Sequence, residues 1–194
     1  MQSFIVCPGA NAAGLYQQVW ELAQPGDQII CANKGILALP MPAGTFTRYS
    51  YNLVWLVADQ LCTEADWWSA AALKALNHGY CPLFSEQVWE RLPRGAGPMF
   101  TQGDSLSPTD SELHPQALRS NATVAGAAVQ LAVHTRAASI HLLGVDMEGA
   151  GYFDGSRYSL ERQTWPHLRT LQALIDAVRA SGVSVTLLSP SRLI

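Results

Sequence analysis

The amino-acid sequence predicts an α/β protein with a doubly wound, mostly parallel sheet and helices on both faces. Short apolar segments typical of buried strands alternate along the chain with longer segments that have helical periodicity. Parallel neighbouring strands need long crossover connections, which helices usually supply. The 194 residues, 48% of them hydrophobic, suffice for one sizeable core and are few for two. The sequence therefore predicts a single Rossmann-like domain over residues 1–194.

Apolar runs, turn residues and helix-capping residues place the predicted elements. Strands are expected at 3–7, at 25–33 after a turn, and at 51–59, 139–145 and 183–189, with edge strands at 80–84 and 98–100. Helices are expected at 15–23, 63–79, 121–137 and 165–182. Thr63 is the expected N-cap of the second helix and Gly79 its end, whereas Ser120 or Asn121 is expected to cap the third. The polar segment 103–120 is predicted to form a loop.

Composition excludes two classes of partner. The net charge is −3 and the twelve Lys and Arg residues are scattered, so no nucleic-acid-binding patch is expected. No stretch approaches the roughly 20 apolar residues that cross a bilayer, and the amino terminus lacks the features of a signal peptide. We therefore expect a cytoplasmic protein without an integral membrane segment. The sequence leaves the oligomeric state open, a homo-oligomer included.

The four cysteines predict free thiols rather than a metal site. Cys7, Cys31, Cys62 and Cys81 are widely spaced, form no C-x-x-C pair and have no histidine close enough to complete a zinc site. Because cysteine is among the most frequently buried residue types, all four thiols are expected to be buried.

The strand exits are the candidate ligand site, because doubly wound folds bind ligands outside the carboxyl ends of their strands. The predicted exits are residues 9–11, Asn33, Asp59 and residues 144–146. The last of these lies in "HLLGVDMEGAGYFDG" (141–155), a strand that becomes acidic, glycine-rich and aromatic as it leaves the core. Such an exit is either a plain turn or one wall of a ligand site.

The residues at these exits have structural as well as ligand-binding interpretations. Gly9 would let backbone N–H groups approach an anion, and Asn11 would cap the first helix or bind a ligand, although the dinucleotide motif G-x-G-x-x-G is absent. Asn33 offers a donor and an acceptor to a base or ribose, but asparagine also favours turns. Asp59 would hold a ribose hydroxyl or a metal ion, or would cap the segment that follows it.

Two residues at helix starts complete the candidate site. Thr123 places a hydroxyl in the first turn of a helix rich in small residues, where the helix dipole favours a phosphate. Tight packing also explains those small residues. His167 begins the long last helix, and it is either a solvent-facing side chain or a general base, a role that suits histidine because it titrates near neutral pH. His141, inside a predicted strand, is expected to be a core or cross-strand residue.

Segments in the first 60 and the last 75 residues carry a resemblance to known proteins. They are "FIVCPGANAAGL", "IICANKGI", "NLVWLVADQ", "TVAGAAVQLAV", "HLLGVDMEG" and "PHLRTLQALIDAVRASGVSVTLLSPSRLI". Their order resembles that in a superfamily containing the bacterial CMP-sialic-acid-dependent sialyltransferases. The superfamily also contains an uncharacterised family, related to archaeal 6-hydroxymethylpterin pyrophosphokinases, that includes motility-associated glycosylation factors. The middle of the chain is not matched.

The resemblance implies a site for a nucleotide-activated sugar. In sialyltransferases of this type, a glycine-rich first turn, an Asn after the second strand and a polar residue after the third hold the CMP-sugar. The positions that resemble these are Gly9, Asn11, Asn33 and Asp59. In the uncharacterised family, a small-residue helix start and a Gly-x-Asp sequence resemble the regions of Thr123, Gly144 and Asp146.

The resemblance also implies catalytic roles. The family's catalytic base is a histidine shortly before the last helix, which resembles His167, and lid tyrosines that assist the leaving phosphate resemble Tyr152 or Tyr158. The function implied is sialyltransferase-like glycosyl transfer, in which His167 deprotonates an acceptor hydroxyl and the loop 149–165 closes over the donor. Neither a cofactor nor a metal ion would be required.

Three alternatives to glycosyl transfer belong to other classes. The first is a non-catalytic protein that binds a nucleotide or sugar. The second is a pyrophosphokinase-like enzyme, which would use Mg²⁺ with carboxylates such as Asp59 and Asp146. The third and less favoured is a nucleoside phosphorylase, suggested by a superficial likeness of "VDMEGAG" to a ribose-binding Met-Glu sequence.

Overall fold

The main sheet has seven strands, all of them parallel. A computed structural model describes residues 1–42, 50–93, 98–100, 102–103, 118–119, 123–147, 151–157 and 164–194. Along these residues the strands are β1 (Gln2–Val6), β2 (Gln28–Ala32), β3 (Asn52–Val57), β4 (Cys81–Ser85), β5 (Met99–Phe100), β6 (Gln102–Gly103), β7 (Leu118–Arg119), β8 (Ser139–Leu143) and β9 (Ser184–Leu187). β6 and β7 form a separate parallel pair.

The order of strands in space is β5-β4-β3-β2-β1-β8-β9. The chain therefore winds from β1 to β5 in one direction, and β8 then lies on the other side of β1. The winding direction reverses between β1 and β8, which makes their carboxyl ends the topological switch point, where doubly wound folds bind ligands.

Helices cover both faces of the sheet. They are α1 (Gln18–Leu22), α2 (Gly35–Ala38), α3 (Trp68–His78), α4 (Glu86–Trp89), α5 (Val124–His134) and α6 (Thr164–Ala180), with short 3-10 helices at Ala10–Ala12 and Gln60–Glu64. Ile5 and Ile30 pack in the cluster that contains α5 and α6, whereas Phe4 and Ile29 pack in the cluster that contains α1, α2 and α3. The predicted doubly wound, Rossmann-like α/β fold is thus confirmed. None of the described helices is long and apolar enough to cross a membrane.

The helices α5 and α6 both begin at the carboxyl edge of the sheet. The hydroxyl of Thr135, at the end of α5, donates a hydrogen bond to Oε1 of Gln28 at the start of β2 (3.0 Å). Arg179, near the end of α6, likewise donates to the carbonyl of Val185 near the start of β9 (3.2 Å). Because both helices end at the amino edge, their first turns lie at the opposite edge, beside the strand exits.

The start of α3 differs from the prediction. The helix begins at Trp68 rather than Thr63, and residues 60–64 form a 3-10 helix in which the Thr63 hydroxyl donates to the carbonyl of Gln60 (2.8 Å). The ring of Trp68 packs against that of Trp55 on β3, with centroids 5.0 Å apart. Tertiary packing of this aromatic pair, rather than local capping, therefore determines where α3 begins. Gly79 ends α3 as predicted, with φ of 71°.

The N-cap of α5 is Thr123, not Ser120 or Asn121. The Thr123 hydroxyl accepts a hydrogen bond from the backbone N–H of Gly126 (3.0 Å), the expected geometry of a threonine cap. The sequence offered several capping residues in succession, and the one nearest to the packed part of the helix caps it. Most of the predicted loop 103–120 lies outside the described residues, and its ends at β6 and β7 pair with each other.

The cysteines are free, as predicted, but only three of them are buried. Cys81 is exposed because it begins β4, and the two-residue β5 pairs only with the end of that strand. Burial raises the pKa of the Cys7 thiol and raises that of Cys31 to about 12. Since the thiolate is the reactive form, both side chains are inert packing groups at neutral pH.

His141 lies across from β1, as predicted for a cross-strand residue. Its ring stacks on Phe4 with centroids 4.8 Å apart, and its Nε2 lies 2.9 Å from Oε1 of Gln2. Partial burial lowers the pKa of the imidazole, so this histidine is a neutral structural group.

Candidate functional site

The exits of β1 and β8 are in direct contact at the switch point. The backbone N–H of Cys7 donates to Leu143 (2.8 Å) and that of Gly9 to Gly144 (2.9 Å), which extends the pairing beyond both strands. A Cβ at Gly9 would overlap the Gly144 carbonyl and the Asp146 carboxylate, and a Cβ at Gly144 would overlap the Cys7 carbonyl. Gly144 also has φ of +73°, so glycine is needed there for two reasons.

Asp146 places a buried carboxylate beside the first turn of the chain. It is 3% exposed, and its Oδ2 accepts a hydrogen bond from the backbone N–H of Asn11 (2.7 Å). This turn is where the sequence suggested a cradle for a ligand phosphate. The turn instead binds the Asp146 carboxylate. This contact explains, without a ligand, why residue 9 is glycine and where the backbone N–H of Asn11 finds its acceptor.

Tyr16 holds the same turn from the other side and is not among the residues that the sequence predicted for the site. Its buried hydroxyl lies 2.8 Å from the carbonyl oxygen of Cys7 and 3.1 Å from that of Gly9. Its ring contacts Phe153 edge to face, with centroids 5.8 Å apart. An aromatic residue in an apolar segment is normally read as core, so the sequence contains no signal for this role.

The segment 151–157 covers the turn after β1. Tyr152 forms an antiparallel bridge with Gly9, and the N–H of Phe153 donates to the carbonyl of Pro8 (2.9 Å). The predicted site residue Tyr152 thus lies at the switch point. Tyr158 and Glu148 are outside the described residues, as is much of the predicted lid at 149–165.

Lys34 is a buried cation at the exit of β2 that the sequence did not single out. The residue is 7% exposed, and its Nζ donates to Oδ2 of Asp154 (2.6 Å) and to Oγ of Ser156 (2.8 Å). The same Nζ lies 4.9 Å from the centroid of the Tyr152 ring. The hydrogen bond from Lys34 lowers the pKa of Asp154 to about 2, with a further contribution from the Ser156 hydroxyl. The ion pair therefore forms across the whole physiological pH range.

Asn33 precedes Lys34 and has an unsatisfied polar atom. Its backbone is left-handed, with φ of 48°, and is held by the N–H bond to Leu56 (2.9 Å) and by Trp55 Nε1, which donates to the Asn33 carbonyl (3.0 Å). The side-chain Oδ1 is buried and has no hydrogen-bond partner within the described parts of the chain. A buried acceptor without a donor costs about 1–3 kcal/mol, so a ligand that supplies a donor would be favoured here.

The remaining predicted residues lie at the same edge of the sheet, and two of them have local structural roles. Asp59 follows β3, about 10 Å or two strand spacings from β1, and its carboxylate accepts from the N–H of Leu61 (2.9 Å). Thr123 caps α5, and His167 lies half-buried in the first turn of α6. The structure thus brings Gly9, Asn11, Gly144, Asp146 and Tyr152 into one cluster, with Asn33 adjoining it through Lys34, and places Asp59 apart.

The described residues contain no group of three His, Cys, Asp or Glu side chains that could hold a metal ion. Comparisons of the chain with models of protein families, with curated proteins and with solved structures found no match. Any functional conclusion therefore depends on the fold and on the geometry of this site.

We expect Gly144→Ala to destabilise the fold far more than Gly182→Ala. Both glycines have positive φ, but only Gly144 lacks room for a Cβ. The backbone conformation alone should lower the free energy of unfolding by about 1–2 kcal/mol in Gly182→Ala. The overlap with Cys7 should raise the loss in Gly144→Ala above about 3 kcal/mol. Urea denaturation of the two variants tests this, and equal losses would contradict the close packing of the switch point.

The Lys34–Asp154 pair should contribute a pH-dependent part of the stability. Because the pKa of Asp154 is lowered in the folded protein, its contribution is complete above the ordinary pKa near 4 and is lost as the pH falls towards 2. The stability difference between the wild type and Asp154→Asn should be constant from pH 5 to 7, at up to about 1 kcal/mol for this partly exposed carboxylate. Urea titrations at several pH values measure it, and a difference that grows on acidification would refute the assignment.

Proposed function

We propose that the protein binds a nucleotide sugar at the carboxyl edge of its sheet and transfers the sugar to an acceptor hydroxyl, with His167 as general base. The observation that carries this proposal is the buried Oδ1 of Asn33, which has no donor within the described chain. It lies directly outside β2, at the edge where doubly wound folds bind ligands. An amino group of a base or a ribose hydroxyl would supply the missing hydrogen bond.

The start of α5 supports the phosphate part of the proposal. The first N–H groups of a helix have no partners within the helix, and the helix dipole adds partial positive charge there. Thr123 caps α5, and the buried Ala125 and Gly126 that follow have no bulky side chains. The partial positive charge of this helix end, at the same sheet edge as Asn33, would favour a ligand with negative charge.

The position of His167 supports the transfer step. It lies in the first turn of α6, whose start shares the carboxyl edge with the exits of β1 and β8, and it is half-buried. A histidine there would accept the proton of an acceptor hydroxyl as that oxygen attacks the sugar. Of the two predicted lid tyrosines, Tyr152 is the described one, and it bridges Gly9 at this edge.

The Asp146 contact favours a second candidate, a protein that binds the nucleotide without transferring a sugar. The carboxylate occupies the turn at Gly9 and Asn11, which would bind the donor in a sialyltransferase-like enzyme. A Mg²⁺-dependent pyrophosphokinase is less well supported, because Asp59 and Asp146 each accept a hydrogen bond from a backbone N–H. The phosphorylase-like sequence includes Glu148, which lies outside the described residues.

Nucleotide binding should stabilise the wild type and should depend on Asn33. A ligand at 100 times its Kd raises stability by about 2.7 kcal/mol, which thermal-shift assays with CMP, UDP, GDP and ATP would detect. Asn33→Gly keeps a residue suited to positive φ but removes the amide, so affinity should fall about tenfold while the fold remains intact. Asn77→Gly, on the exposed end of α3, is the matched control. The absence of any shift in the wild type would reject the proposed site.

Transfer should depend on His167 and not on a metal ion. In a purified assay with the nucleotide sugar that binds best, His167→Ala should lower turnover by about 10²–10⁴ without loss of nucleotide affinity. EDTA should have no effect, whereas dependence on Mg²⁺ would favour the pyrophosphokinase class. If the wild type binds nucleotide but turns over no donor, the non-catalytic function is the correct one.

A further inference from the structure

We propose that Lys34 binds a phosphate group of the nucleotide, and that the Asp154 carboxylate occupies the phosphate position while the ligand is absent. This inference rests on the proposed nucleotide site and names the residue and the ligand group for it. The phosphate would thus be bound at the exit of β2 rather than in the turn at Gly9 and Asn11, where the Asp146 side chain already accepts a hydrogen bond from the N–H of Asn11.

The surroundings of Lys34 are those of a built anion site. The side chain is 9% exposed, and its Nζ has two oxygen acceptors at 2.6 and 2.8 Å, on Asp154 and Ser156. The rings of Tyr152 and Phe153 flank the ammonium group, with centroids 4.9 and 5.9 Å from Nζ. A buried ammonium without a partner is costly, so this position favours a negative group beside the neutral acceptor on Ser156.

The two members of the ion pair are unequally buried. The Asp154 side chain is 39% exposed, against 9% for Lys34, and it belongs to a surface segment rather than to the sheet edge. If the ion pair opens, the Asp154 carboxylate can rotate into water. The Lys34 side chain is packed within the protein and would have to leave that packing to do the same. Asp154 is accordingly the exchangeable partner, and an incoming anion would replace it.

The groups around the Asp154 carboxylate suit a phosphate equally well. Its Oδ1 accepts from the hydroxyl of Ser156 (2.7 Å) and from the N–H of Ser156 (3.2 Å), while Oδ2 accepts from Lys34. Rotation of Asp154 towards solvent would leave these donors in place. A phosphate has more negative charge than a carboxylate and an additional acceptor oxygen, so it can compete for them.

The neighbouring residue determines the class of ligand. Asn33 and Lys34 are consecutive, and Asn33 has a buried acceptor that lacks a donor within the described chain. A ligand that contains both a hydrogen-bond donor and a phosphate would satisfy the two residues together. A nucleotide has both, whereas a free nucleoside lacks the group for Lys34 and inorganic pyrophosphate lacks the group for Asn33.

The experiment compares phosphorylated and unphosphorylated ligands by calorimetric titration. The probes are CMP, UMP, GMP and AMP, the four matching nucleosides, and inorganic pyrophosphate. Asp154→Asn should bind the preferred nucleotide several-fold more tightly than the wild type, because it removes the competing carboxylate. Lys34→Gln should bind it at least tenfold more weakly, about 1.4 kcal/mol. Neither substitution should change the affinity for the nucleoside.

Matched controls remove the effect of net charge. Asp176→Asn changes the charge as Asp154→Asn does, but on α6 beside Arg179, and Lys74→Gln removes a lysine from α3. Neither control should change nucleotide affinity. Asp154→Asn affects an exposed side chain and keeps an acceptor for Lys34, so it tests the inference even if Lys34→Gln fails to fold.

The outcomes separate this inference from the proposed function. If the wild type binds a nucleotide but Asp154→Asn binds it no more tightly than Asp176→Asn does, Lys34 does not bind the phosphate, and the nucleotide site remains supported. If the wild type binds neither nucleotides nor nucleosides, both proposals are overturned. Tighter binding by Asp154→Asn that extends to the nucleoside would also overturn the role of Lys34.

Discussion

The close approach of the β1 and β8 exits is the constraint on which the rest of this site depends. When the connections that follow two neighbouring parallel strands run to opposite faces of the sheet, they normally leave a crevice between the strand exits. Here the bond from Gly9 to Gly144 closes the base of that crevice, and neither position has room for a Cβ. The buried Asp146 carboxylate then ties the next turn to β8 through the N–H of Asn11. The exit of β1 is therefore closely packed against β8 and leaves no open pocket between Gly9 and Gly144.

Because the exits of β1 and β8 are closely packed, the exit of β2 is the better candidate for ligand binding. The polar groups of the turn after β1 bond to one another, but Asn33 has a buried oxygen without a donor in the described chain, and Lys34 has a partner that is much more exposed than itself. A ligand gains most binding free energy from a polar group that lacks a hydrogen bond or can exchange its partner. Its new hydrogen bond then does not have to replace an existing one of equal strength. The closely packed exits of β1 and β8 are thus adjacent to, but distinct from, the proposed ligand site at the exit of β2.

Local patterns predicted the elements well and their ends poorly. The strands were identifiable because parallel strands buried on both faces form short, continuous apolar runs. The start of α3 at Trp68 was missed, because its ring packs on Trp55 and this contact is not visible in a local capping pattern. The cap at Thr123 was missed for the related reason that neighbouring residues were equally good caps.

The sequence by itself determined the alternation of strands and helices, and with it the parallel sheet and the edge at which its polar exits gather. It named Gly9, Asn33 and Gly144 because glycine and asparagine at strand ends are local signals. Only the tertiary structure decided which of those exits are occupied by the protein's own side chains. Asp154 lies 120 residues from Lys34, and no local pattern distinguishes a lysine that will be buried against such a partner from a solvated one. Contacts between distant segments arise only once the chain is folded, so the ion pair and the carboxylate beneath the first turn could be identified only in three dimensions.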